Sequence, residues 1–163
     1  STNLGTVHWR RGSFEKARQH YAESLAISHA TAHRSGEAAA TVNLGHVFSA
    51  QGRLAEAREH YQRGRAICRE IGHRQFEASA TGGLGNVLSL QGRLAEAREH
   101  YQQHCAMSRE IGSRPGEAAA LDNLGNILQS EGRLVEAREH YERPPPTVGV
   151  FWSGITCTGK YRD

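Results

Sequence analysis

The residues of this chain most able to do chemistry are its ten histidines. Two pairs, His29 with His33 and His100 with His104, are separated by four positions. On a helix that spacing places two imidazoles on one face, as in a zinc site. Neither pair has a third ligand nearby in the sequence, and the motif HExxH does not occur. We therefore interpret the histidines as surface or packing residues, and we expect neither a bound metal nor a cofactor.

The sequence also lacks the short motifs of catalytic and nucleotide-binding sites. GxSxG, a phosphate-binding loop and GxGxxG do not occur. The run Gly82-Gly83-Leu84-Gly85 is rich in glycine, but it lies in a helical register rather than after a strand. The sequence therefore predicts that this chain is not an enzyme.

One phrase recurs four times with a constant step of 40 residues. Its copies run from Arg10 to Tyr21, Ala50 to Tyr61, Leu90 to Tyr101 and Ser130 to Tyr141. A second phrase keeps the same step, with NLG beginning at Asn3, Asn43 and Asn123 and GLG at Gly83. A fixed period between 20 and 50 residues is typical of a stacked-repeat protein, whose surface binds a partner. The repeat therefore favours a binding module over a reaction centre.

The hydrophobic pattern predicts two helices in each repeat. Apolar residues stand at Ala40, Leu44, Val47 and Phe48, and again at Ala80, Leu84, Val87, Leu88 and at Ala120, Leu124, Ile127, Leu128. A second helical face is formed by Leu54, Ala57, Tyr61, Cys68 and Ile71. Both spacings follow the 3.6-residue period of a helix. Gly52, Gly92 and Gly132 separate the halves, so each unit is predicted to be helix A, a tight turn and helix B.

Small residues recur where the two helices of a repeat are expected to cross. Gly45 and its equivalents lie inside helix A, where glycine costs roughly 1 kcal/mol relative to alanine, which indicates a steric need. Ala57 recurs twelve positions later in each copy. We expect helix B to cross helix A at these residues, with Tyr61, Tyr101 and Tyr141 packed over the crossing.

These positions carry a resemblance to a known family. Leu44-Gly45, Phe48, Gly52, Ala57 and Tyr61 match the spacing of the tetratricopeptide repeat (TPR). The usual unit has 34 residues. The 40-residue unit here resembles the longer variety of bacterial signalling proteins, kinesin light chain and spindle-orientation adaptors. The resemblance implies an all-α fold, a right-handed α-solenoid of about 3.5 to 4 stacked antiparallel helix pairs.

Two features depart from the family pattern. The small residue in the middle of helix B is kept as Gly64 but replaced by His104. The acidic residue that commonly follows the turn glycine is replaced by Arg53, Arg93 and Arg133.

The repeat divides the chain into a solenoid and a tail. The solenoid spans 1–143, with a partial unit at 1–36, units at 37–76 and 77–116, and a partial unit at 117–143. The segment 144–163 begins with three prolines and does not match the repeat, so we expect a loosely ordered tail. The chain is also consistent with a fragment of a longer array or of a multidomain regulator.

Charge and composition restrict the class of partner. The net charge is +3, from 20 basic and 17 acidic residues, and this is not a nucleic-acid-binding balance. Glu59 with Arg63 and Glu70 with Arg74 have the i, i+4 spacing of a solvated, salt-bridged helix face. No stretch of 18 apolar residues predicts a membrane span. Three cysteines without CxxC spacing favour a reducing compartment, and we expect a cytoplasmic protein.

The resemblance implies that helices A line a concave groove, and one polar face of these helices is the candidate site. Its residues are Asn3, Thr6, Asn43, His46, Ser49, Asn86, Ser89, Asn123, Asn126 and Gln129. No charged residue lies between Glu37 and Arg53 or between Glu77 and Arg93, so the groove is predicted to be neutral through its middle. Glu37, Glu77 and Glu117 are predicted to flank one edge, with Asp122 inside the groove. Asparagine both donates and accepts hydrogen bonds, which suits the backbone of an extended peptide. An alternative is that these asparagines only pack neighbouring helices A together.

The sequence therefore predicts a protein–protein interaction module that binds an extended peptide segment of a partner protein. The competing hypothesis is a structural or self-associating repeat element, which would stack end to end as a homo-oligomer through its open ends.

Overall fold

Six α-helices make up the part of the chain that is described. The computed structural model describes residues 14–130 and Gly132. Its helices are α1 (Phe14–Ala30), α2 (Arg34–Ala50), α3 (Leu54–Ile71), α4 (Arg74–Leu90), α5 (Leu94–Glu110) and α6 (Arg114–Ser130). No strand occurs within these residues. The predicted all-α repeat fold is confirmed: α2, α4 and α6 are the helices A, and α1, α3 and α5 are the helices B.

The helices stack in chain order into a solenoid. Each helix packs against the next one along the chain. In addition α2 packs on α4 and α4 on α6, whereas the helices B have no comparable packing on one another. An array that is in contact on one side and separated on the other curves toward the side in contact. The helices A therefore line the concave side of the described repeats.

The apolar stripe predicted for helix A forms the core. All twelve of its residues, from Ala40 to Leu128, are buried. On helix B, Ala57, Tyr61 and Cys68 are buried as predicted, but Ile71 is 37% exposed. The prediction for Ile71 was wrong because this residue is the last in α3, where the chain turns away from the neighbouring helix A.

The predicted crossing of the two helices is confirmed. A Cβ atom added at Gly45 would lie 2.7 Å from Cδ1 of Tyr61, and one added at Gly85 would lie 2.6 Å from Cε1 of Tyr101. Such distances are shorter than the contact distance of about 3.5 Å between carbon atoms. Glycine inside helix A thus makes room for the tyrosine ring of helix B.

The arginine that replaces the family's acidic residue after the turn has a structural role. The Arg53 guanidinium carbon lies 4.5 Å from the centre of the Phe48 ring, and its Nε donates a hydrogen bond to Glu56 over 2.8 Å. Arg93 makes the same hydrogen bond to Glu96 over 2.7 Å. These pairs join the residue before helix B to the first turn of the helix. Because the side chains of both pairs are exposed to solvent, the pairs contribute little to stability.

The turn after each helix B needs one residue with positive φ. Gly72 and Gly112 have φ values of 70° and 68°, and the equivalent Ala32 has a φ of 52°. The next residue closes the turn by donating a backbone hydrogen bond five positions back, as from His33 to Ser28 and from His73 to Cys68, each over 2.8 Å. Alanine is strained in this conformation, by roughly 1–2 kcal/mol, and glycine is not.

We expect Ala32→Gly to raise the free energy of unfolding by about 0.5–1 kcal/mol, since relief of strain is partly offset by the greater freedom of glycine in the unfolded chain. Gly72→Ala should lower it by about 1 kcal/mol. A Cβ atom at Gly72 would have no neighbour within 4 Å, so the second substitution isolates the backbone effect. Urea denaturation measures both values, and destabilisation by Ala32→Gly would contradict the argument.

Several predictions lie outside the described residues. These are helix A of the first unit with Asn3 and Thr6, helix B of the last unit with Tyr141, and the tail 144–163. The boundaries of the solenoid accordingly remain a prediction. Among the helices that are described, none combines the length and the apolar character required to cross a membrane.

Candidate functional site

The described members of the predicted site lie along the concave face. Asn86, Asn126 and Gln129 are exposed, and Asn43, His46, Ser49, Ser89 and Asn123 are partly buried. They occupy the sides of α2, α4 and α6 that the apolar stripe leaves open. The sequence therefore placed them on one surface, but His46 and Asn86 are already hydrogen-bonded within the solenoid.

His46 is hydrogen-bonded to the tyrosine of helix B in its own repeat. In the repeat formed by α2 and α3, the Tyr61 hydroxyl lies 2.7 Å from Nδ1 of His46. The other ring nitrogen of His46, Nε2, lies 3.0 Å from Oγ of Ser79 in the next helix A. Burial lowers the pKa of His46 to about 4, so the ring is neutral at pH 7. A neutral imidazole donates at one nitrogen and accepts at the other, so His46 links a tyrosine to the following repeat.

Asn86 does the same in the repeat formed by α4 and α5. Its Oδ1 accepts a hydrogen bond from the Tyr101 hydroxyl over 2.8 Å and a longer one, 3.4 Å, from Nδ2 of Asn123 in α6. Burial raises the pKa of Tyr101, and its hydrogen bond to Ser89 lowers it, with a net rise. The oxygen of Asn86 is thus committed within the solenoid, while its side chain as a whole is exposed on the groove.

Gly83 stands where the other copies have asparagine, and Tyr61 explains this exception. A Cβ atom at Gly83 would lie 2.4 Å from Cζ of Tyr61. The tyrosine ring therefore extends from its own repeat to the next helix A and leaves no space for a side chain there. This contact joins residues 22 positions apart, and the repeat pattern alone did not indicate it.

His104, which replaces the family's small residue in the middle of helix B, is compensated by Gly82 on helix A. A Cβ atom at Gly64 would lie 2.6 Å from Cγ2 of Val42, and one at Gly82 would lie 2.7 Å from Nδ1 of His104. Positions 42 and 82 are equivalent, as are 64 and 104. In one repeat the large side chain is on helix A and the glycine on helix B, and in the next repeat the arrangement is reversed.

The glutamates predicted along the groove edge are buried instead. Glu37, Glu77 and Glu117 are each less than a tenth exposed. Glu37 accepts hydrogen bonds from Arg34 over 2.7 Å and from Arg63 over 3.2 Å. Burial raises the pKa of Glu37. The interactions with Arg34 and Arg63 lower it by a larger total amount, so the pKa lies below its ordinary value. The prediction of an acidic edge was wrong, since these carboxylates are neutralised inside the fold.

The ion pairs continue from one repeat to the next. Glu77 accepts hydrogen bonds from Arg69 and Arg74, both over 2.8 Å. Arg74 also pairs with Glu110, and Arg109 pairs with Glu117. Arg63 pairs with Glu37 rather than with the predicted Glu59. The arginines along this edge therefore form ion pairs with buried carboxylates of helices A.

The histidines of the described repeats are distributed over several environments. The His60 ring stacks on Phe48 with 5.0 Å between ring centres, and burial lowers the pKa values of His60, His100 and His104. Between residues 14 and 130, no three histidine, cysteine or acidic side chains are grouped so that they could hold a metal ion.

Fold and site together define a class of protein, a helical-repeat module whose concave face is rich in uncharged hydrogen-bonding groups. A family model described as tetratricopeptide repeat matches residues 1–70, 36–110 and 76–143. The chain therefore belongs to the tetratricopeptide repeat family, whose repeats form non-catalytic scaffolds for protein interaction.

A solved structure supports the same fold. The crystal structure of nearly identical TPR-like repeats, from a Podospora anserina protein that bears the name kinesin light chain, has a TM-score of 0.60 and 21% sequence identity to this chain. The match covers 85% of this chain and 69% of that one. No curated protein matches the chain significantly.

Proposed function

We propose that this solenoid binds an extended peptide segment of a partner protein along the concave face of α2, α4 and α6. The observation that carries the proposal is that this face is polar and carries no charge between Glu37 and Arg53, along α2, or between Glu77 and Arg93, along α4. Its amide side chains are Asn43, Asn86, Asn126 and Gln129. Glu37 and Glu77 are buried in ion pairs, and the exposed carboxylate among the described helices A is Asp122 of α6. Amide side chains pair with a peptide backbone, which also carries one donor and one acceptor per residue.

The spacing of the helices sets the length of peptide to use. Packed helices are about 8–10 Å apart and each repeat adds about two such steps, whereas an extended peptide advances about 3.3 Å per residue. A peptide that follows three helices A thus requires roughly a dozen residues. A library of random twelve-residue peptides is therefore a suitable probe.

The test measures the affinity of selected peptides for a groove variant that carries Asn86→Asp and Asn126→Asp. An aspartate at position 86 still accepts the hydrogen bond from Tyr101, so the fold is retained, but the amide donors are lost and charge is added. We expect the dissociation constant to rise about tenfold or more, which is the effect of one or two lost hydrogen bonds.

A charge-matched control carries Gln62→Glu and Gln103→Glu, which are exposed positions on the helices B. Its affinity should equal that of the unchanged chain. Equal weakening in both variants would mean that net charge, rather than the groove, determines binding, and the proposal would fail.

A structural, self-associating role is the second candidate, and the hydrogen bonds of Asn86 to Tyr101 and Asn123 favour it. In that case the concave polar residues serve to hold repeats together, and the chain associates end to end. Sedimentation of the unchanged chain over a range of concentrations distinguishes the two roles. A peptide-binding module keeps one sedimentation coefficient, whereas end-to-end association raises the coefficient with concentration.

A further inference from the structure

A cavity lies in the concave face beside Gly82 and Gly83, the positions at which the preceding helix A carries Val42 and Asn43. It lies between α4 and α6, has α5 as its floor and has a volume of about 280 Å³. Gly82 and Gly83 form one wall, Gly116 and Ala119 the other, and His104 and Ser108 line the cavity from α5.

The size of the cavity limits what it can hold. Pockets for drug-sized ligands begin at about 300 Å³ and extend to about 1,000 Å³. A cavity at the lower limit of that range accommodates one amino-acid side chain and excludes a nucleotide or a comparable cofactor.

The walls select an uncharged guest. None of the fourteen lining residues is Asp, Glu, Lys or Arg. Burial lowers the pKa of His46 to about 4 and also lowers that of His104, so both imidazoles are neutral at pH 7. A charged group that entered would lose its hydration without gaining a counter-charge, which is strongly unfavourable.

The cavity also offers hydrogen bonds that the described residues do not complete. Ser108 is 1% exposed, and its Oγ has no hydrogen-bond partner within the described repeats. Nδ1 of His104 is likewise buried without a partner there. Buried polar groups are rarely left unsatisfied in native proteins, so two in one cavity indicate a polar guest. At the rim, Asn86 and Asn123 each contribute an amide group.

The cavity thus presents a hydroxyl, a neutral imidazole and two amides. A guest group that both donates and accepts hydrogen bonds matches these four. A carboxamide does both with separate atoms, as a neutral imidazole does, and unlike an imidazole it stays uncharged at every physiological pH. Resting on the proposed peptide-binding function, we propose that this cavity binds the side chain of a glutamine or asparagine of the bound peptide, and so determines sequence specificity at one position.

The experiment uses N-acetyl-glutamine amide as the probe and backbone amide NMR shifts of Gly82, Gly83 and Gly116 as the readout. These glycines line the cavity, and their shifts report entry without requiring a whole peptide to bind. N-acetyl-glutamate amide, a charged analogue of the same shape, and N-acetyl-leucine amide, which has no side-chain hydrogen bonds, are the comparison probes. We expect saturable shifts with the glutamine probe and binding at least about tenfold weaker with the other two.

Two variants locate the binding. Ala119→Phe places a ring at the mouth from an exposed position and should abolish the shifts. Ala95→Phe, at a position on α5 that is also exposed but lies outside the cavity, should leave them unchanged. His104→Phe keeps a ring over Gly82 without its nitrogen atoms and should weaken the glutamine probe by about three- to tenfold, as expected for one hydrogen bond.

Equal shifts with all three probes, or shifts that persist in Ala119→Phe, would overturn the proposal. Failure of the cavity and failure of the groove are distinguishable. Peptides that bind the groove without preferring an amide and tolerate Ala119→Phe would refute the cavity alone. Selective entry of the glutamine probe, with no peptide bound from the library, would refute the peptide function and retain the site.

Discussion

Replacing Tyr101 by alanine should lower the free energy of unfolding by about 3–5 kcal/mol, the range for removal of a large buried aromatic side chain. Tyr101 is 3% exposed and belongs to a core cluster that includes Leu88 and Leu124. Its ring also fills the space that Gly85 leaves in α4. The substitution therefore removes contacts of α5 with helices A on both sides.

The loss should not stay local. In a stacked-repeat protein, stability is a sum of the stabilities of single repeats and of the interfaces between neighbours. Because Tyr101 belongs to the interface between α5, α4 and α6, its removal should increase amide hydrogen exchange in all three helices, and least in α1. Urea denaturation gives the total effect, and exchange gives its distribution.

Tyr101→Phe is the matched control because it removes only the hydroxyl group. It should cost about 0.5–1.5 kcal/mol, for the lost hydrogen bond to Asn86. If Tyr101→Ala changed the free energy of unfolding by less than about 1 kcal/mol, the placement of this ring in the core would be wrong.

The second large effect concerns the exchanged pair Gly82 and His104. Gly82→Val should destabilise the fold by about 2–3 kcal/mol, because the new side chain overlaps the His104 ring. His104→Gly should also destabilise it, since it removes a partly buried ring and places glycine inside a helix at a cost of about 1 kcal/mol. Together the two changes reproduce the arrangement of Val42 and Gly64, so the double variant should be more stable than the sum of the single effects predicts.

The expected coupling between the two substitutions is about 1–3 kcal/mol, as found for residues in direct contact. Helix propensity does not account for it, because α4 loses a glycine while α5 gains one. A thermodynamic cycle of the three variants and the unchanged chain, measured by urea denaturation, gives the coupling. Additivity within about 0.5 kcal/mol would show that the two positions do not compensate each other.

Stability and binding share residues in this solenoid. Asn86 holds Tyr101 and Asn123 with its oxygen and is exposed on the groove. A ligand that contacts Asn86 would therefore contact a group that already links two repeats. For this reason the groove variants keep an acceptor at position 86, so that lost affinity is not confused with lost packing.

The helices, the turns and the buried stripe follow from the order of the residues alone. Apolar residues at helical spacing and the turn glycines Gly52, Gly72, Gly92 and Gly112 recur with a constant step of 40 residues. Among the described turns, the one at Ala32 lacks glycine. Repetition then fixes which face of each helix is inside, and Gly45 with Tyr61 indicated the crossing. These predictions succeeded because they depend on local conformation and on apolar burial, which neighbouring copies reproduce.

The partners of the polar groups, in contrast, depend on how the helices pack together. Arg63 pairs with Glu37 of another helix and not with Glu59 one turn away, and Glu37, Glu77 and Glu117 are buried rather than on the groove edge. Likewise, the hydroxyl of Tyr101 is bonded to Asn86, and the cavity beside Gly82 is lined by His104 and Ser108 of a different helix. Ion pairs, hydrogen bonds and cavities depend on distances of a few ångströms between separate helices, and the periodicity of one chain segment contains no information about those distances.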